Sequence, residues 1–185
     1  MALQAWFEKG MNPDEYIESM EKHKENLLHV YDNFILPDDS QLFSKLKAEK
    51  LRVIVLTEDW CGDAMMNTPI LFHIAQKTNM EVSLLQRDNH LELMDHYLTN
   101  GKSRSIPIFI FINEKGNEVT KWGPRAPIVQ SFIDDSLANL PSQDAEDFKE
   151  KRNELFTFVM KSFRDNTDFW KHTYESIVDT LKKQL

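Results

Sequence analysis

The chain has one cysteine and five glycines in 185 residues, and each scarcity closes off a class of chemistry. With Cys61 alone, no internal disulfide can form. Any redox step must run through a mixed disulfide with another molecule, or through oxidation of one sulfur that an outside thiol then resolves. A single cysteine also removes the usual structural zinc sets. The six histidines, His23, His29, His73, His90, His96 and His172, are scattered without ligand spacing, so no metal is expected. None of the glycines belongs to a phosphate-cradling loop, which leaves nucleotide binding unsupported, and no cofactor is expected. No stretch approaches the roughly 20 apolar residues of a membrane span, and the N-terminus carries no basic region followed by an apolar core. A lone thiol suits a reducing compartment, so the expected location is cytoplasmic. Positive charge is short as well: 22 Lys and Arg face 30 Asp and Glu, and the net charge of -8 argues against general affinity for nucleic acid or an anionic membrane.

What is present is a globular balance of apolar and charged residues, enough chain for a sizeable core, and no internal repeat or low-complexity linker. One domain over 1–185 is the expected organisation. Its first stretch reads as helical scaffold over 12–50. Asn12 can cap, Pro13 suits the first helical position, Glu15 can complete the box, and Ile17, Met20, Leu27, Tyr31 and Phe34 share a face up to Pro37. Asp38, Asp39 or Ser40 then caps a short helix that turns Leu42, Phe43 and Leu46 inward.

Between about 51 and 140 the periodicity alternates. A buried-strand run, Leu51 to Leu56, precedes a helix from about Cys61 to Lys77, and Val82, Leu84 and Leu85 form the next strand, which makes a βαβ unit. A helix carrying Leu91, Leu93, Met94 and Tyr97 follows, with Asp88 or Asn89 as its cap. Pro107 opens the apolar strand Ile108 to Ile112. A turn at Asn113-Glu114-Lys115-Gly116-Asn117 then returns Glu118 to Trp122 antiparallel, so the sheet should be mixed. A helix from Ile128 to Leu140 covers one face.

Trp60-Cys61-Gly62-Asp63-Ala64 places the cysteine at a helix N-terminus, where unpaired backbone N–H groups and the dipole favour thiolate. Cys61 is therefore read as reactive. Gly62 lets backbone approach a partner, and Trp60 offers a rigid apolar flank. The carboxylate of Asp63 opposes this by about 1–2 kcal/mol at an effective dielectric near 20, so only modest activation is expected unless Arg125 folds back to supply positive charge. The plain alternative is a small, half-buried, inert cysteine.

These residues resemble the thioredoxin superfamily over about 51–140. Trp60-Cys61-Gly62 looks like its active-site entry, and Pro69 falls where its active-site helix bends. Ser105-Ile106-Pro107 looks like its cis-proline segment, the Lys115-Gly116-Asn117 turn follows the expected strand, and Gly123 follows the last one. The resemblance implies an α/β thioredoxin-like fold: a central mixed four-stranded sheet flanked by helices, with additional N-terminal and C-terminal helices. It is nearest to bacterial thioredoxin-like proteins that lack thioredoxin's first strand. It also implies that Cys61 is the nucleophile, that Pro107 and the backbone of Ile106 align a partner, and that Trp60, Gly62 and Asp63 shape the approach. The departures are equally informative. Ala64 replaces the resolving cysteine, Val55 stands where the buried proton-relaying carboxylate would be, and Thr57 replaces an aromatic.

From Ser142 to the end, two apolar stripes stand out: Phe148, Leu155, Phe158, Val159 and Phe163, then Phe169, Trp170, Tyr174, Ile177, Val178 and Leu181, separated by Asp165-Asn166-Thr167. Core packing is the usual fate of such stripes, and a homodimer through these helices is the other outcome. The leading expectation is a monothiol thiol-disulfide oxidoreductase that exchanges with a low-molecular-weight thiol or a protein thiol. The competing one is a thioredoxin-fold binding module whose action ignores Cys61.

Overall fold

The computed structural model describes residues 3–185. Helices α1 (Gln4–Phe7), α2 (Pro13–Ser19), α3 (Lys24–Asn33) and α4 (Ser40–Ala48) lead into β1 (Arg52–Thr57), α5 (Gly62–Thr78) and β2 (Glu81–Gln86). A short turn of 3₁₀ helix and α6 (Leu91–Met94) precede β3 (Ile108–Ile112) and β4 (Glu118–Trp122). Helices α7 (Pro127–Ala138), α8 (Phe148–Asp165) and α9 (Thr167–Lys182) complete the chain.

The four strands form one mixed sheet in the order β2-β1-β3-β4, with β1 parallel to β2, and β3 antiparallel to both β1 and β4. Residues of one strand alternate between two faces, and helices cover both, which is why the central strands read as continuous apolar runs. On one face Val53, Val55, Phe109 and Phe111 pack with α3, α4, α5 and the C-terminal helices. On the other, Ile54, Leu56, Ile108 and Ile110 pack with Leu3, Leu93, Met94 and Tyr97.

The N-terminal capping box forms as read: Asn12 Oδ1 accepts from the Glu15 N–H at 3.0 Å, and Glu15 accepts from the Asn12 N–H at 2.9 Å. The single helix read from Asn12 to Pro37 is instead two. Met20 is extended and His23 is left-handed between α2 and α3. The cause is Asp59, whose Oδ2 accepts the backbone N–H groups of Glu21 and Lys22 at 2.8 and 3.0 Å and so draws donors that a continuous helix would use internally. Met20, Leu27 and Phe34 are buried all the same. Two smaller corrections concern the segment after β2. The helix there shortens to Leu91–Met94, and neither Asp88 nor Asn89 caps it, because Asp88 Oδ1 is taken by the Arg87 guanidinium at 2.7 Å. His90 occupies the cap position without a capping hydrogen bond, its Nδ1 lying 2.8 Å from the Gln86 carbonyl instead.

The C-terminal stripes enter the core. Val159, Phe163, Phe169, Trp170, Tyr174, Ile177, Val178 and Leu181 are buried, while Phe158 stays exposed. Asn166 caps α9 by accepting from the N–H groups of Asp168 and Phe169. Among the described residues, no helix is long and apolar enough to cross a membrane.

Candidate functional site

Cys61 is the N-cap of α5, in extended backbone, with its own N–H given to the Glu58 carbonyl at 3.2 Å. The strand β1 ends at Thr57, so the sulfur sits just beyond the sheet, where β3 begins after a cis Ile106–Pro107 peptide. The thiol donates to the Ile106 carbonyl at 3.5 Å. Pro69 lies inside α5 and removes one of that helix's N–H donors.

Two effects compete at the sulfur, and burial wins. Burial pushes the thiol up to about 11, and the charge of Asp63 adds to that. Hydrogen bonds from the backbone N–H groups of Ala64 and Asp63, together with the positive charge of Arg125, pull the other way without overcoming it. The expected balance between helix dipole and Asp63 omitted desolvation, the larger quantity, because the half-buried cysteine packs against a cluster that includes Ile106 and other residues distant in the chain. The resting thiol is therefore protonated at neutral pH, and modest activation is not what this geometry gives.

Arg125 does fold back, onto Asp63 rather than onto the sulfur. Its Nε and Nη2 donate to the two carboxylate oxygens at 2.7 and 2.8 Å, and Nη1 donates to Gln130 Oε1 at 3.0 Å. Burial pushes the buried Asp63 carboxyl above its ordinary value, against the arginine fork that pulls it down. Burial would lower Arg125, yet the hydrogen bond and charge of Asp63 hold it above its ordinary value. The pair thus mutes the repulsion that Asp63 exerts on a thiolate.

A close approach does occur at Gly62, but it is made by a side chain of the same chain. A Cβ there would overlap Cε and Sδ of Met160 on α8, so the C-terminal helix occupies the space expected for a partner's backbone. Trp60 is 42 % exposed, and the Arg87 guanidinium lies 5.0 Å from its ring centroid. Val55 is wholly buried in the core and Thr57 Oγ1 is paired with the Tyr16 hydroxyl at 3.2 Å, so neither position offers a titrating relay.

Sequence reading singled out Trp60, Cys61, Gly62, Asp63, Ile106 and Arg125, which line one groove of about 780 Å³, and Pro107, which is not in that lining. It missed the opposite wall, made by Leu155, Phe156 and Met160 of α8 with Ile133 and Leu137 of α7. It also missed a buried polar tie in which Asn67 donates to the Pro124 carbonyl at 2.9 Å and accepts from Thr173 at 3.2 Å, fixing the Arg125 loop between α5 and α9. The small residues Gly62 and Ala64 on one turn of α5 were the available signal that another helix comes close. Among the described residues, no group of His, Cys, Asp and Glu is placed to hold a metal ion.

The thioredoxin family model matches residues 10–140, more than half of the chain. A crystal structure of a protein of unknown function from Pseudomonas aeruginosa superimposes with a TM-score of 0.71 at 15 % identity, over 100 % of this chain and 99 % of that one. An HIV epitope scaffold superimposes with a TM-score of 0.68 at 13 % identity, over 99 % of both chains. At these identities the likeness is one of fold. No curated protein matches the sequence.

Proposed function

We propose that this chain, which belongs to the thioredoxin family, is a bacterial, cytoplasmic monothiol oxidoreductase that exchanges Cys61 with a low-molecular-weight thiol or a protein mixed disulfide. One juxtaposition carries the reading: the chain's single sulfur lies at the start of α5, in a groove, 3.5 Å from the Ile106 carbonyl that precedes Pro107. In the first step, the Cys61 thiolate attacks one sulfur of a disulfide R–S–S–R′, forming Cys61–S–S–R and expelling R′–S⁻. Ala64 supplies no second thiol, so release comes from outside. A thiolate R″–S⁻ attacks the R sulfur, gives R–S–S–R″ and returns the Cys61 thiolate. Pro107 and the Ile106 backbone align the partner, Trp60 shapes its approach directly, and Gly62 and Asp63 shape it from beneath by seating Met160 and Arg125.

A thiol at about 11 leaves roughly one sulfur in ten thousand ionised at pH 7, which makes the exchange slow there, although each thiolate is a strong nucleophile. The test is alkylation of Cys61 in the folded protein across pH, with mass spectrometry after exposure to an oxidised low-molecular-weight thiol. The expected result is a rate climbing from pH 8 towards 11 and a reducible adduct that is absent in Cys61→Ser. No adduct at any pH ends the reading.

The same raised thiol favours a second reading, a thioredoxin-fold module that binds protein without redox chemistry. Partner binding that is unchanged in Cys61→Ser, beside an unreactive sulfur, would select it.

A further inference from the structure

A second groove, of about 990 Å³, lies at the β2 edge of the sheet. Its lining and that of the Cys61 groove have no residue in common. Ile17, Phe72, Met80 and Val82 give it apolar surface, and Asp14, Glu15, Glu18, Asp32 and Glu81 give it acidic side chains. No lysine, arginine or histidine lines it. Among the described residues none of those five carboxylates takes part in an ion pair, although the chain forms such pairs at Asp39, Asp63, Asp88, Asp95 and Asp165.

The backbone is unfinished at the same place. Leu84 gives its N–H to Met11 at 2.8 Å and accepts from the Met11 N–H at 2.9 Å, an isolated antiparallel bridge on the outer edge of β2. Alternate residues of a strand turn their backbone groups the same way, so Val82 also aims its N–H and C=O outward. The residue that would continue the bridge towards Val82 is Pro13. It opens α2 and leads the chain away, and a proline has no N–H to give. The edge is therefore covered at Leu84 and open at Val82, beside an apolar floor and an uncompensated acidic rim.

We propose that this groove binds an extended, basic peptide segment of a partner protein, which pairs with β2 at Val82, lays alternate apolar side chains on the floor and sets lysines or arginines against the rim. Main-chain pairing provides the attachment and the alternate side chains the selectivity. Charge complementarity selects the occupant, since five carboxylates without a cation repel an acidic segment and attract a basic one.

The test uses the full chain and a capped hexapeptide that alternates valine with lysine, measured by calorimetry at low and moderate salt. Binding that salt weakens is expected, with little binding of the valine–glutamate counterpart. Glu18→Lys combined with Asp32→Lys should weaken it by about tenfold or more. Val82→Pro, which removes an N–H facing away from β1, should weaken it by about three- to tenfold, the value of one net hydrogen bond. Because that variant can disturb the strand, the same loss is sought with a peptide N-methylated at its central amides. Cys61→Ser should bind as well as the parent, which separates this groove from the exchange chemistry. Absence of binding, equal binding of the glutamate or N-methylated peptide, a helical bound peptide, or full competition by spermidine would each overturn the proposal.

Discussion

The two grooves of this molecule hold carboxylates in opposite ways. The Cys61 groove is lined by two carboxylates and three arginines: Arg125 forks Asp63, Asp134 accepts from Gln130, Arg87 and Arg104 pair with Asp88 and Asp95 outside the lining, and apolar side chains of α7 and α8 form the far wall. At the β2 edge the acidic residues face solvent without an ion-pair partner, and the backbone beside them is incomplete. One groove is walled by the chain's own α7 and α8 and has arginines in its lining beside its carboxylates. The other gathers five carboxylates with no cation in its lining. Part of the net charge of -8 thus gathers at the β2 edge, where no cation shares the lining.

The sharpest way to break this contrast is to unsettle the paired groove. Arg125→Ala leaves Asp63 buried beside the sulfur without its fork and is expected to cost about 3 kcal/mol in chemical denaturation. The same variant should raise the apparent pKa of Cys61 further, and an unchanged alkylation profile would remove Arg125 from the electrostatics of the sulfur. A second effect follows from burial of the thiol. Its folded value of about 11 exceeds its ordinary value of 9.0, so the folded state keeps the proton longer. The corresponding stability, on the order of 2 kcal/mol, is complete below pH 9 and disappears as pH rises through 11. The difference in unfolding free energy between the parent and Cys61→Ala, followed across that window, reads it directly. A flat difference would mean that burial does not control the sulfur.

The glycines at the two grooves sharpen the comparison with smaller effects. Gly10→Ala sets a Cβ against Ser83 Oγ and within 2.9 Å of the Leu84 carbonyl, which belongs to the backbone bridge. Gly62→Ala meets only the flexible end of Met160 and then Phe163. Melting curves should place the first near 2 kcal/mol and the second near 1 kcal/mol, both roughly, because rigid backbone yields less than a methionine tip. Smallest of all, Glu18→Lys in the open groove should change stability by no more than about 0.5 kcal/mol, since a solvated carboxylate without a partner contributes little to folding.

Much of the architecture was legible in residue order. The runs at 51–56 and 108–112, the proline before the second run and the turn at 113–117 mark strands through local periodicity and turn chemistry, and the observed strands fall within one residue of them. The break between α2 and α3 was not legible, because its cause is Asp59, almost forty residues further along. The site was legible in part for the same reason. Trp60, Cys61 and Gly62 are contiguous, and Ile106 was found through its proline, whereas Asn67, Thr173 and Met160 meet only when α8 and α9 fold back over α5.

By itself the sequence determined that this protein has a single sulfur at the head of a helix, no second thiol to release it, and a sheet of four strands wrapped by helices. Those facts rest on residue identity and short-range pattern. Tertiary structure decided the state of that sulfur. Burial, a sum over neighbours brought from distant segments, raises the thiol where the local dipole alone would have lowered it. Tertiary structure also left the β2 edge unfinished at Val82, since only three-dimensional pairing reveals which backbone groups have found partners and which have not.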